Sequence, residues 1–142
     1  MADLSLRKFV APEFVLGAGA RSLAGRYVKG FGARRVLLVT DPGVRAAGWA
    51  DAVGRSLSAS DIEYVIYDAV SCNPRGKEVM AGVEFYRAHA CDAIVAVGGG
   101  SPLDAAKGIG LAATNGCEVL SFEGVDKVPL PGPPLVCVAP CR

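Results

Sequence analysis

Histidine occurs only once in this 142-residue sequence, at position 89. A metal centre built from several imidazoles therefore cannot come from this chain alone. The five cysteines, Cys72, Cys91, Cys117, Cys137 and Cys141, are odd in number and form no C-x-x-C pair. That argues against a disulfide framework and leaves them as reduced, mostly packing residues. Cys137 and Cys141 could share a metal, but nothing in the sequence places His89 beside them. Fifteen basic residues against fourteen acidic ones leave a net charge of +1, too little to hold nucleic acid or an anionic membrane. No apolar run approaches the roughly 18 residues that span a bilayer. The opening MADLSLRKF lacks the apolar core of a secretion signal, so the cytoplasm is the expected compartment. Neither an internal repeat nor a low-complexity linker divides the chain.

What is present describes one folded domain, with 51% hydrophobic and 20% charged residues. Strand patterns at 36–40, 62–67 and Ala93–Val97 begin about one β-α unit apart. A fourth, Leu135–Val138, follows a proline-rich approach, and an aromatic, β-branched segment at 9–16 carries Pro12, which favours a sheet edge. Helical patterns fill the intervals. Over 21–31, Leu23, Tyr27, Val28 and Phe31 share a face, and Asp41-Pro42 opens a helix reaching about residue 57. Over 76–90, Val79, Met80, Val83 and Tyr86 point inward, leaving His89 near the helix end in a structural role. Alternating strands and helices of this kind predict a doubly wound, mostly parallel sheet with helices on both faces.

The stretch DAIVAVGGGSPLDAAK, residues 92–107, organises the rest. A strand with no polar residue runs into Gly98, Gly99 and Gly100, and Ser101 follows as a fitting helix N-cap. Pro102 then suits the first helical position, and Asp104 suits the acid of a capping box. Bare amides at the positive end of a helix make an anion site, and glycines let a phosphate approach the main chain closely. A tight turn alone would need only one glycine. The loop is not of the Walker type, since no Gly-Lys-Ser/Thr follows, and Leu103 stands where the usual dinucleotide fingerprint has its third glycine. The G-x-G-x-x-A at Gly108, Gly110 and Ala113 lies inside a helix and is set aside.

GGGSPLDAAK closely resembles the signature of the iron-dependent (group III) alcohol dehydrogenases. FVLGAGA, VLLVTDPGV, Cys72-Asn73-Pro74, ATNG, FEGVDKV and PGPPLV extend the resemblance over nearly the whole chain. It implies a Rossmann-like fold of the dehydroquinate synthase-like superfamily, with residues 1–142 forming the NAD-binding domain. The family's second, all-helical domain carries iron or another divalent metal on one aspartate and three histidines, and it is absent here. The expectation is therefore the nucleotide half of an enzyme that moves hydride between an alcohol and NAD. That half would contain no catalytic or metal-ligating residue and would be inactive alone. The closing VAPCR departs from the family's Thr/Gly-rich continuation, as a truncation or a frameshift would. Small alcohols or aldehydes, NAD(H) and further copies of the chain are the implied partners. A glycerol dehydrogenase or dehydroquinate synthase relative and a stand-alone nucleotide-binding module are the alternatives.

Within that resemblance, Asp41 would accept the ribose hydroxyls of adenosine and repel a 2′-phosphate, favouring NAD over NADP; its competing role is to cap the next helix. Asn73 would touch the adenosine or simply initiate an Asn-Pro turn. Gly98, Gly99 and Gly100 would receive the pyrophosphate. Ser101 would donate to it, cap the helix, or both. Asp104 is chiefly a capping acid, with a polar contact toward the nicotinamide as its other role, and Lys107 is read as a surface lysine.

Overall fold

The computed structural model describes residues 13–15, 19–71, 76–115 and 132–139. Among these residues five strands, β1 (Glu13–Val15), β2 (Arg35–Val39), β3 (Glu63–Tyr67), β4 (Ala93–Val97) and β5 (Leu135–Val138), form one sheet in the order β1-β5-β4-β2-β3. Every pairing is parallel. The helices described between them are α1 (Ala24–Gly30), α2 (Pro42–Ala46), α3 (Trp49–Ala59), α4 (Gly76–Ala88) and α5 (Gly100–Asn115). A single 3₁₀ turn, Ala20–Leu23, leads into α1.

Period-two alternation along the strands sorts the core into two layers. Leu37, Val39, Ile94, Ala96 and Cys137 face α4 and α5, where Val79, Val83, Ala105, Ala106 and Ile109 meet them. Val36, Leu38, Val95, Val97, Val136 and Val138 face α1 and α3, against Ala24, Val28, Ala50, Val53 and Leu57. All five residues of β4 are buried, because both of its faces are covered by helices. Each large aliphatic side chain so enclosed contributes about 1.5–3 kcal/mol relative to exposure. The predicted doubly wound sheet is thus the observed one, with β1 at the edge.

The order of strands creates a switch point. From β2 the chain passes through α3 to β3 on one side, then returns through α4 to β4 on the other side of β2. Helices α3 and α5 consequently lie on opposite faces, and in sheets of this topology the switch-point crevice falls beyond the carboxyl ends of β2 and β4.

Three local expectations are corrected. The helix predicted from Asp41-Pro42 to about residue 57 is two helices, because Gly48 takes a left-handed conformation (φ +87°) between them. In α1 the buried face is Ala24, Gly25 and Val28, whereas Leu23, Tyr27 and Phe31 are exposed. The reason is the closeness of α3: a Cβ on Gly25 would stand 2.2 Å from the Ser56 carbonyl oxygen, and the Gly25 N–H donates to Ser56 Oγ at 3.0 Å. Small residues are needed there, so the bulky ones turn outward. Finally, α5 begins at Gly100 rather than after Ser101. Ser101 and Pro102 are therefore inside the first turn, and Asp104 lies past it.

Candidate functional site

The crevice is built from the residues that end β2 and β4. Thr40 and Asp41 follow β2; Gly98, Gly99 and Gly100 follow β4. The structure brings these two groups together. A Cβ on Gly98 would lie 2.9 Å from Pro102 Cγ, 3.2 Å from Val44 Cγ2 and 3.7 Å from Asp41 Oδ2. The acid of one strand end therefore reaches the glycine turn of the other.

The three glycines are not equivalent. Gly98 has φ +133°, a conformation that side chains rarely adopt, and it has no room for one. Gly99 and Gly100 have neither constraint: their φ is not in the left-handed range and a Cβ on either would meet nothing within 4 Å. The turn needs one glycine, and the protein places three. Both extra glycines are exposed, with α5 starting at the second, so their main chain borders open space at the positive end of a sixteen-residue helix.

Asp41 performs the capping role. Its Oδ1 accepts the Val44 N–H at 2.8 Å, and its carbonyl accepts the Arg45 N–H at 3.0 Å. Among the described residues no hydrogen bond is made to Oδ2, the oxygen that faces Gly98. One carboxylate can hold α2 and still offer an acceptor to the crevice. Beside it Arg45 Nη1 pairs with Asp68 Oδ2 at 2.7 Å, joining α2 to the end of β3. Ser101 is half-buried, while Asp104 and Lys107 are exposed on α5. Cys72, Asn73 and Pro74 lie outside the described residues, as does most of the FEGVDKV-to-PGPPLV region.

One residue of the crevice carried no assignment from sequence. Thr40 is fully buried and is the sole buried polar side chain among the described residues. Its only sequence signal is a hydroxyl closing an otherwise aliphatic strand just before an acid. His89 meets the structural role expected of it: Nδ1 lies 2.9 Å from the Phe85 carbonyl oxygen and the ring sits 4.3 Å from that of Phe85. It stands at the amino-terminal end of the sheet, far along the fold from the crevice.

A doubly wound sheet, parallel among the described strands, with a glycine turn and an acid at its switch point defines a Rossmann-like domain. The model of the family described as iron-containing alcohol dehydrogenase matches residues 11–140, and the chain belongs to that family. It is 40% identical over 131 residues to alcohol dehydrogenase 4 of Schizosaccharomyces pombe, covering 92% of this chain and 31% of that protein. Identity to the NAD-dependent methanol dehydrogenase of Bacillus methanolicus is 34% over 130 residues, covering 92% of this chain and 34% of the relative. A crystal structure of 1,3-propanediol oxidoreductase superposes with a TM-score of 0.86 at 38% identity, over 93% of this chain and 35% of that one. The chain thus spans about a third of the length of the relatives it matches.

The family's metal does not fit these residues. Among the described residues no group of three or more His, Cys, Asp or Glu could hold an ion, and the whole sequence has one histidine. No helix among them is long and apolar enough to cross a membrane.

Proposed function

We propose that this chain is the NAD-binding part of a metal-dependent alcohol dehydrogenase that transfers hydride between a small alcohol or aldehyde and NAD. Gly98, Gly99, Gly100 and Ser101 receive the pyrophosphate, Asp41 Oδ2 accepts the ribose hydroxyls of the adenosine, and Asn73 borders the same adenosine. Asp104 stands toward the nicotinamide side. The protein orients the cofactor, and the cofactor supplies the redox chemistry. The metal and the alcohol pocket belong to parts of the enzyme that this chain does not provide. The isolated chain therefore binds NAD without turning over, and the whole protein works in the cytoplasm as a homo-oligomer.

One observation carries this reading: Gly99 and Gly100 are required neither by backbone conformation nor by packing, yet they line the mouth of the switch-point crevice. A bound diphosphate accounts for them, because it needs the main chain uncovered. The acid beside them accounts for the choice of cofactor, since a carboxylate at the ribose repels a 2′-phosphate. Isothermal titration of NAD and NADP tests both points. NAD is expected to bind more tightly than NADP, and Asp41→Ala to weaken NAD and narrow that preference. A chain that takes up neither cofactor, or a variant with both affinities unchanged, would overturn the assignment.

A further inference from the structure

The peptide unit joining Val97 to Gly98 is the hinge from which the glycine turn departs, and it is held from both sides. Its N–H donates to the Val138 carbonyl of β5 at 3.0 Å. Its carbonyl, on the β2 side, accepts the Thr40 hydroxyl at 2.9 Å in a fully buried position. The β2–β4 ladder runs from Val36 opposite Ala93 to Val39 opposite Ala96, so Thr40 and Val97 would be the next pair. There the side chain supplies the bond. The Thr40 main chain is committed elsewhere, because its N–H donates to the Tyr67 carbonyl of β3 at 3.0 Å. Thr40 therefore ties the ends of β2, β3 and β4 together one residue before Asp41.

We propose that Thr40 is a positioning residue for the cofactor: its hydroxyl fixes the 97–98 peptide plane and so aims the Gly99 and Gly100 amides at the diphosphate. This rests on the reading that a diphosphate binds there. Gly98 makes the coupling tight. It is the next residue, at φ +133° with Pro102 and Val44 close to where a Cβ would stand, so a rotation of the preceding peptide is felt directly in the turn. Without the hydroxyl, the Val97 carbonyl is left buried and unsatisfied. It then gains by turning away from its present plane, and the amides of the turn move with it. Valine has the shape of threonine but no donor, whereas serine keeps the donor and loses the methyl. The hydroxyl's contribution and the packing contribution can therefore be read separately.

The test is titration of NAD into the wild-type chain, Thr40→Val and Thr40→Ser, well below the melting temperature of each. A parallel titration uses adenosine, which has no diphosphate, followed by ligand-observed NMR. Thr40→Val is expected to weaken NAD about tenfold, Thr40→Ser to stay within about threefold of wild type, and adenosine to bind all three alike. Affinity for NAD would then follow the hydroxyl rather than the melting temperature. Wild-type affinity in Thr40→Val, equal losses in both variants, or equal losses for adenosine and NAD would each overturn the positioning role while leaving the NAD-binding reading intact. A wild-type chain that binds no NAD removes both. Should Thr40→Val not fold, amide hydrogen exchange decides between wild type and Thr40→Ser. Protection of the Gly98 N–H retained in the serine variant supports the clamp, and its loss there overturns it.

Discussion

Each end of the parallel sheet has an aspartate beside it, and the two are used in opposite ways. At the amino-terminal end Asp92 is held by main chain: its two oxygens accept the Arg34 N–H at 3.1 and 3.0 Å and the Arg35 N–H at 3.1 Å. Around it Arg35 pairs with Glu63 and donates to the His89 carbonyl at 2.9 Å. That end pairs these polar groups with one another and with main chain. At the carboxyl end Asp41 accepts one main-chain N–H and keeps its second oxygen toward the glycine turn. On the proposed reading, a binding end is made from the same parts. One strand end satisfies its polar groups internally, and the other leaves an acceptor and a set of amides to be satisfied by something else.

The largest effect that can break this contrast is expected from Gly98→Ala. A side chain at φ +133° costs about 1–3 kcal/mol, and its Cβ would stand 2.9 Å from Pro102 Cγ. Both the melting temperature and NAD affinity should fall. Gly99→Ala sharpens the point, because its Cβ meets nothing in the protein. Stability should stay within about 0.5 kcal/mol while NAD weakens about tenfold, as calorimetry and titration would show. Equal NAD affinity for Gly99→Ala and wild type would mean that the open space is unused.

Asp41→Asn comes next. Asparagine caps a helix about as well as aspartate, so chemical denaturation should give nearly the wild-type midpoint. Removal of the charge should weaken NAD about tenfold and bring NADP level with it. Loss of stability without loss of discrimination would reduce Asp41 to its capping role. Asp92→Ala is the mirror experiment. Two main-chain donors lose a charged acceptor, and stability should drop by about 1–2 kcal/mol with NAD affinity untouched. A fall in affinity there would show that the two ends are not independent.

The features legible in the sequence were those fixed by uninterrupted chemistry. Ala93–Val97 and Leu135–Val138 are read to the residue because a strand buried on both faces tolerates no polar side chain. The close placement of Asp41 and Gly98 follows from topology, since both stand at the ends of neighbouring strands. What escaped was decided by neighbours. The periodicity of α1 gives a face, but only the approach of α3 to Gly25 says that the small face is the buried one. Gly48 lies in a helical pattern and breaks it through a conformation that periodicity does not reveal. Thr40 looked like the last residue of a strand. Its role depends on Val97, 57 positions away in sequence and opposite in space.

The smallest expected effect concerns the amino-terminal end and its pH dependence. Cys91, buried one residue before Asp92, has its thiol pushed up to about 11, chiefly by burial, with Asp92 adding to the shift and Arg35 opposing it. The folded state thus holds the thiol neutral over a range in which the unfolded chain ionises it. Stability from this group is complete below about pH 9 and is lost as the pH rises toward about 11. Tyr86, whose carbonyl accepts the Cys91 N–H at 3.0 Å, is pushed up to about 12 by its own burial and extends the same trend to higher pH. Melting temperatures measured between pH 8 and pH 11 should therefore decline, and Cys91→Ala should decline less steeply over the lower part of that interval. An unchanged slope in the variant would place the alkaline sensitivity elsewhere in the chain. The crevice offers the control. If the two ends are separate, NAD affinity measured at pH 9.5 should be the same for Cys91→Ala and wild type.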